Sequence, residues 1–198
     1  MRCNRVGLAG AFLALLLAAG AASATTVRPL GLDEIIDTAA VVFEGTCVGN
    51  WSGRDAQTQL VVTYTTFAVK DVLKGDVPTN YVIKQIGGSL PNGMIYRAHG
   101  VPSFTQGQDY VVFLAGVSSA GFSSPIGLAQ GKFDVLPGAA GPEVTNGRDF
   151  RNMTAGMATA VLPAATAKSL GTAQAPVRRL GLDEFKQMVR AQLGAKPR

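Results

Sequence analysis

Residues 60–73 read LVVTYTTFAVKDVL, and the architecture of the chain turns on this stretch. Val61, Val62, Thr63, Tyr64, Thr65, Thr66, Phe67 and Val69 crowd it with β-branched and aromatic side chains. Such side chains lose rotamer freedom in a helix and pack well on a pleated surface, so the stretch reads as a strand. It is long enough to bend across a whole sheet. Just upstream, residues 41–49 show a period of two, with Val41, Phe43, Gly45 and Cys47 on one side, which marks another strand. Downstream, Lys74-Gly75-Asp76 turns the chain, residues 81–86 form a third strand and residues 110–114 a fourth. A fifth strand region runs over residues 122–135, broken near Gly127 or Gly131 and ended by Leu136-Pro137-Gly138. Strands at this spacing with no helices between them predict a mostly β fold, a five-stranded antiparallel OB-like barrel. Its expected core is Val42, Phe43, Val61, Phe67, Val69, Leu73, Val82, Ile83, Val111, Phe113 and Phe133.

Both flanks of this region read as helical. In LGLDEIIDTAA, residues 30–40, Gly31 suits an N-cap, Asp33 and Glu34 sit at the positive end of the helix dipole, and Leu32, Ile35, Ile36 and Ala39 recur at helical spacing. Residues 27–34 and 177–184 agree at seven of eight positions, so a second helix start is expected near the C-terminus. Either a helix start has been reused, or the two helices play similar roles at opposite ends of the barrel. The apolar stripe Leu182, Phe185, Met188, Val189 and Leu193 completes the C-terminal helix over 177–198. Between barrel and helix, residues 145–176 are rich in Ala, Thr, Gly and Ser and read as a linker with a weak helix around residues 153–161.

The first 24 residues have the three parts of a secretory signal: basic Arg2 and Arg5, the uncharged run VGLAGAFLALLLAA over residues 6–19, and small Ala22-Ser23-Ala24 before a cleavage point. A spanning helix needs about 20 apolar residues, and this run is shorter. Cys3 precedes the apolar run rather than following it, so a lipoprotein anchor is not expected either. The expected organisation is a signal over 1–24, a barrel over 25–144, a linker over 145–176 and a helix over 177–198. The product is exported, to the periplasm or the exterior, with no transmembrane segment left after signal cleavage. Cleavage removes two of the 18 basic residues, leaving 16 against 13 acidic and a net charge of +3. That excess is spread along the chain, so nucleic acid is not expected as a partner.

Familiar catalytic equipment is missing from the sequence. His99 is the one histidine, and there is no Gly-x-Ser-x-Gly elbow, phosphate-binding loop or dinucleotide fingerprint. No metal site or cofactor is expected, because zinc sites need clustered Cys and His. His99 lies in the longest loop with Tyr96 and Arg97, where loop placement suits function, but no neighbouring acid orients it. The pairs Asp33/Glu34 and Asp183/Glu184 read as helix caps rather than acid–base or calcium groups. Cys47 is the only cysteine after the signal and reads as a small buried hydrophobe, with an intermolecular bridge or reactive thiol as the sharper alternative. Trp51 falls in a polar loop, residues 50–58, with Arg54 and Asp55; it reads either as a binding anchor or as a cover for the open end of the barrel.

Four blocks, DTAAVVFEGT (37–46), VLKG (72–75), GVPSF with QGQDYVVFL (100–104 and 106–114) and GLAQGKF (127–133), give the chain a resemblance to a group of uncharacterised exported bacterial proteins. More distantly, the order of helix, Ala-x-Val-Val-x-x-Gly strand, long strand ending in Lys-Gly and Gly-x-x-Tyr-x-x-Phe-Leu strand resembles the netrin-like modules and tissue inhibitors of metalloproteinases. That resemblance implies an OB-type barrel flanked by helices. It does not carry the inhibitors' mechanism, which uses an N-terminal cysteine, whereas the expected mature start is Thr25-Thr26.

The function expected from these readings is a non-enzymatic binding module of the bacterial envelope or exterior, with a protein or another envelope component as partner. Its contact surface would be the polar loops 50–58 and 87–103, with Trp51, Arg54, Tyr96, Arg97 and His99 as ligand-binding candidates. Two alternatives stand beside it. One is an enzyme of unfamiliar type in which Arg97, His99 and a carboxylate such as Asp109 converge; the other is an envelope assembly protein using strand edges or the Ala-rich tail.

Overall fold

The structure, a computed structural model, describes residues 27–195; the signal expected over residues 1–24 lies outside the described residues. Helix α1 (Leu32–Thr38) leads into two 14-residue strands, β1 (Val41–Arg54) and β2 (Val61–Lys74), followed by β3 (Asn80–Ile86). A two-stranded ribbon, β4 (Gly88–Ser89) and β5 (Ile95–Tyr96), then precedes β6 (Asp109–Leu114), β7 (Lys132–Gly138), β8 (Gly141–Thr145) and β9 (Leu180–Gly181). The large sheet is antiparallel, in the order β3-β2-β1-β6-β7-β8-β9.

The fold is thus mostly β, but the sheet has seven strands rather than five and no barrel closes. Neighbour relations supply the reason. Strand β7 is flanked by β6 on one side and β8 on the other, so it has no edge left to meet β3. Leu136-Pro137-Gly138, expected to end the last strand, instead lies inside β7 and pairs with Glu143, Pro142 and Gly141 of a hairpin. The break expected near Gly127 or Gly131 within residues 122–135 is a 3-10 turn, Leu128–Gly131, which precedes β7.

Because strand side chains alternate, β6 feeds two cores. Tyr110, Val112 and Leu114 point to one face with Phe43, Cys47, Phe67, Ile83 and Phe104. Val111 and Phe113 point to the other, beneath the helices, with Val42, Phe133 and Val144. The expected core residues fall in these clusters, with Val69 and Leu73 half-buried against them. Two depart from expectation: Val61 is buried but belongs to neither cluster, and Val82 is 53% exposed because it alternates with buried Ile83 on the edge strand β3.

Residues 145–176, expected as a linker, carry helix α2 (Phe150–Met153), a 3-10 turn (Thr159–Val161) and helix α3 (Ala164–Thr172). Phe150, Met153, Met157, Val161 and Leu170 from this segment are buried in the helical core. A few well-spaced apolar anchors were enough, and the abundant small residues diluted them in the composition. Instead of the weak helix expected around 153–161, short elements occupy the two ends of that range, α2 ending at Met153 and the 3-10 turn at Val161. Helix α4 (Leu182–Gly194) packs in the same cluster as α1, so the echoed sequences start two helices on one face of the sheet rather than at opposite ends of a barrel. Gly31 and Gly181 are their N-caps, with the acidic pairs in the first turns. Among the described residues no helix is long and apolar enough to cross a membrane.

The GLAQGKF block acts as a clasp in this layer. The Gln130 amide accepts from Leu30 N at 2.8 Å and from Arg148 Nη1 at 2.8 Å, and donates to Arg28 O at 3.0 Å. It thereby ties the N-terminal approach to the segment beyond β8. Asp149 does similar work, capping α2 by accepting from Arg151 N at 3.2 Å and holding Val177 N at 3.0 Å.

Hydrogen bonds from the Arg151 side chain are the main reason the Asp149 carboxyl titrates at about 2, below the usual carboxylate range. Asp109 is also lowered: burial pushes its carboxyl up, but hydrogen bonds from Lys70 and Thr46 outweigh that. Depressed carboxyls stabilise the fold above their unfolded value near 3.9 and lose that contribution as pH falls through the folded one. Denaturant midpoints are therefore expected to hold from pH 6 to about 4.5 and then fall between about pH 4 and 2, with Asp149→Asn flattening part of the drop. An unchanged slope in that variant would show that the Asp149 cap does not contribute.

Candidate functional site

Strand β1 does not stop at Gly49 but continues to Arg54, so residues 50–54, expected in a polar loop, are strand residues. Asn50, Trp51, Ser52 and Arg54 face Thr65, Tyr64, Thr63 and Val61 of β2 in register. The alternation persists there, but it alternates polar side chains with glycine and tryptophan rather than apolar with polar, so it does not announce a strand. A bulge between Cys47 and Gly49 resets the register, and Asn50 and Ser52 then line a cavity on one face of the sheet.

A cavity of about 610 Å³ lies there, within the size range of small-molecule sites. Its floor comes from Asn50 and Ser52 of β1, Thr63 and Thr65 of β2 and Gln85 of β3. Its roof is the ribbon with the following segment, through Ile95, Tyr96, Arg97 and residues 101–104. The roof can lie this close because Gly87 (φ +95) and Gly88 (φ +150) fold the chain back over the sheet. A Cβ on Gly88 would come within 2.6 Å of Ser52 Oγ and Thr63 Oγ1.

The hydrogen bonds of the floor decide what it can still offer. Thr63 Oγ1 donates to Gly87 O at 2.7 Å. Its one proton is thereby used, so in the 2.8 Å contact between the two hydroxyls Ser52 is the donor. Thr65 Oγ1 donates to Asn50 Oδ1 at 2.8 Å, while Asn50 Nδ2 donates to Phe104 O at 2.9 Å and to Cys47 Sγ at 3.6 Å. Ser52 Oγ, Thr65 Oγ1 and Asn50 Oδ1 keep acceptor capacity, while both Asn50 N–H donors are used. Gln85 is 3% exposed, and its Nε2 is buried with no hydrogen-bond partner. It is the only buried side-chain polar atom in that state among the described residues.

A smaller cleft of about 220 Å³ adjoins the first and shares Ile86, Gly87, Tyr96, Arg97 and Ala98 with it. Its other wall includes Arg54, Gln59 and Leu60. Three of the five candidate residues, Arg54, Tyr96 and Arg97, therefore meet around one cleft. Arg54 Nη1 donates to Gln59 O at 3.1 Å, and Arg97 is exposed on the shared wall. No Asp or Glu lines either space.

Trp51 and His99 stand apart from both cavities. Trp51 is 61% exposed on the opposite face of the sheet from Asn50 and Ser52, tilted against Tyr64 with ring centroids 5.4 Å apart. His99 is exposed and lines neither space. Asp109 is held by Thr46 Oγ1 at 2.5 Å and Lys70 Nζ at 2.6 Å. Cys47 is buried, and burial pushes its thiol up, which suits a core residue rather than a nucleophile. Glu34 pairs with Arg28, and Glu184 accepts from Thr166 Oγ1 at 3.1 Å. Among the described residues no three His, Cys, Asp or Glu side chains are grouped to hold a metal ion.

Asn50 and Ser52 fall within the expected contact segment 50–58, but sequence reasoning missed the rest of the floor: Thr63, Thr65 and above all Gln85. A signal was present, because the period of two that buries Ile83 also buries Gln85, an amide on a core-facing position of YVIKQI. Compared with known proteins, the chain matches no protein-family model, and no curated protein is similar to it.

Proposed function

We propose that the protein is an exported, non-enzymatic binding module whose ligand occupies the concave cavity between β1–β3 and the β4–β5 ribbon. One observation carries this reading: Gln85 lines a cavity of ligand size and buries an N–H₂ group that no protein acceptor satisfies. Leaving a buried donor unpaired costs about 1–3 kcal/mol, which a fold retains where a partner is bound rather than built in. Binding is favoured over catalysis because Arg97, His99 and Asp109 do not meet at either cavity. The Asp109 carboxylate serves Lys70 and Thr46, and His99 lines neither cavity.

The test uses native mass spectrometry of the protein after incubation with the small-molecule fraction of a bacterial envelope extract, paired with denaturant unfolding. Wild type and Trp51→Ala are expected to carry a bound species, since Trp51 lies on the opposite face. Gln85→Leu is expected to lose it while gaining about 1 kcal/mol in stability, because the orphan donor is gone. Ser52→Ala provides a second, milder loss. A Gln85→Leu protein that retains the species, or that is destabilised by the change, would sink the reading.

A further inference from the structure

Resting on that binding reading, we infer that the ligand is an acidic sugar: a hydroxyl-rich ring seated in the larger cavity, with a carboxylate or phosphate reaching the smaller cleft. The larger cavity is neutral but for Arg97, and its unused hydrogen-bonding capacity is mixed. Ser52 Oγ and Thr65 Oγ1 can accept, and Gln85 Nε2 can donate. A hydroxyl group both donates and accepts, so a polyhydroxylated ring matches this floor where a purely apolar molecule would leave all three unanswered. Phe104 and Tyr96, which also line the cavity, supply aromatic surface for the C–H face of such a ring.

Charge separates the two halves of the site. Arg54 and Arg97 both line the smaller cleft, and no carboxylate from the chain lines either space to neutralise them. Guanidinium groups recognise carboxylate and phosphate through paired, charge-assisted hydrogen bonds. Arg97 and Tyr96 belong to both linings, so one molecule of modest size can reach the hydroxyl floor and the arginines together. A free anion would leave the floor unused, and a neutral sugar would leave the arginines unused.

Titration calorimetry of the full chain tests this with digalacturonate, glucose 6-phosphate, neutral galactobiose and inorganic phosphate. At least one of the two acidic sugars is expected to bind about tenfold more tightly than galactobiose, with inorganic phosphate weaker still. Which of the two binds tells carboxylate from phosphate. Arg97→Ala is expected to bring acidic and neutral sugars to similar affinity, and Gln85→Leu to weaken both. Equal affinity for acidic and neutral sugars in wild type, or a preference that survives Arg97→Ala with Arg54→Ala, would overturn the inference. If no sugar binds while the envelope-derived species is still lost in Gln85→Leu, the ligand class is wrong and the binding site stands. If that species persists in Gln85→Leu, the site itself is wrong.

Discussion

Phe185→Ala is expected to destabilise the protein by about 3–5 kcal/mol, measured as a shift in the denaturant midpoint with the cooperativity of unfolding retained. Phe185 is fully buried on α4, with ring centroids 4.8 Å from Phe133, 5.9 Å from Phe150 and 6.1 Å from Phe113. Those three rings come from β7, from α2 and from β6, so one side chain joins the C-terminal helix, the Ala-rich segment and the central sheet. Truncation leaves a ring-sized void at their junction, which the rigid sheet beneath cannot collapse to fill. The readout also tests organisation. If residues 145–176 merely tethered a peripheral helix, the change would melt α4 alone and the sheet would unfold at its original midpoint. A single transition, moved as a whole, is the expected result, and two separate transitions would refute the shared core.

Most of what was legible in the sequence was the sheet, and the reason is periodicity. Val41 to Cys47, residues 60–73 and YVVFL each alternate side chains against a core, and the two helices carry both stripe and cap. Closure was not legible, because it depends on which strand lies next to β7, and nothing in the five-residue strand GPEVT says that it occupies that edge. The helical layer over 145–176 hid for another reason: burying Phe150, Met153 and Leu170 needs only a few anchors, while the composition is set by the exposed residues between them. The candidate site was half legible. Arg54, Tyr96 and Arg97 were found as charged or aromatic residues near turns, whereas the hydroxyl and amide floor sits on strands, where polar side chains are easily read as solvent-facing. What separates Gln85 from an ordinary surface glutamine is the roof built by residues 95–104, a long-range fact that no local pattern encodes.

On the reverse side of the same strand, Lys84→Met is expected to lower the melting temperature by on the order of 10 °C, which scanning calorimetry would register directly. Lys84 alternates with Gln85 and so faces away from the cavity, where its side chain is only 10% exposed. Its ammonium lies 2.7 Å from Asp55 Oδ1, donates to Ala120 O at 2.6 Å and sits 4.6 Å from the Phe122 ring. Asp55 also accepts from Thr58 N at 2.9 Å and Tyr64 Oη at 3.0 Å, and the hydrogen bond from Lys84 is the main reason its carboxyl is held far below the usual range. Methionine preserves much of the apolar stem but removes the counter-charge, leaving a buried carboxylate with neutral donors only. Adding Asp55→Asn should recover part of the loss, because the amide still accepts from the turn and no longer brings a charge. Recovery in the double variant, with the melting temperature above that of Lys84→Met alone, distinguishes an uncompensated charge from lost packing, since lost packing would leave the double variant no better than the single one. The pair also bears on binding. It fastens β3, which has only one neighbouring strand, to the turn after β1 and to the loop before β7, and thereby fixes the backbone that presents Gln85. Lys84→Met is therefore expected to weaken ligand binding without touching the cavity, and the Asp55→Asn partner to restore it in proportion to stability. Weakened binding that stayed weak after stability returned would mean that Lys84 itself reaches the ligand, which its position on the opposite face forbids.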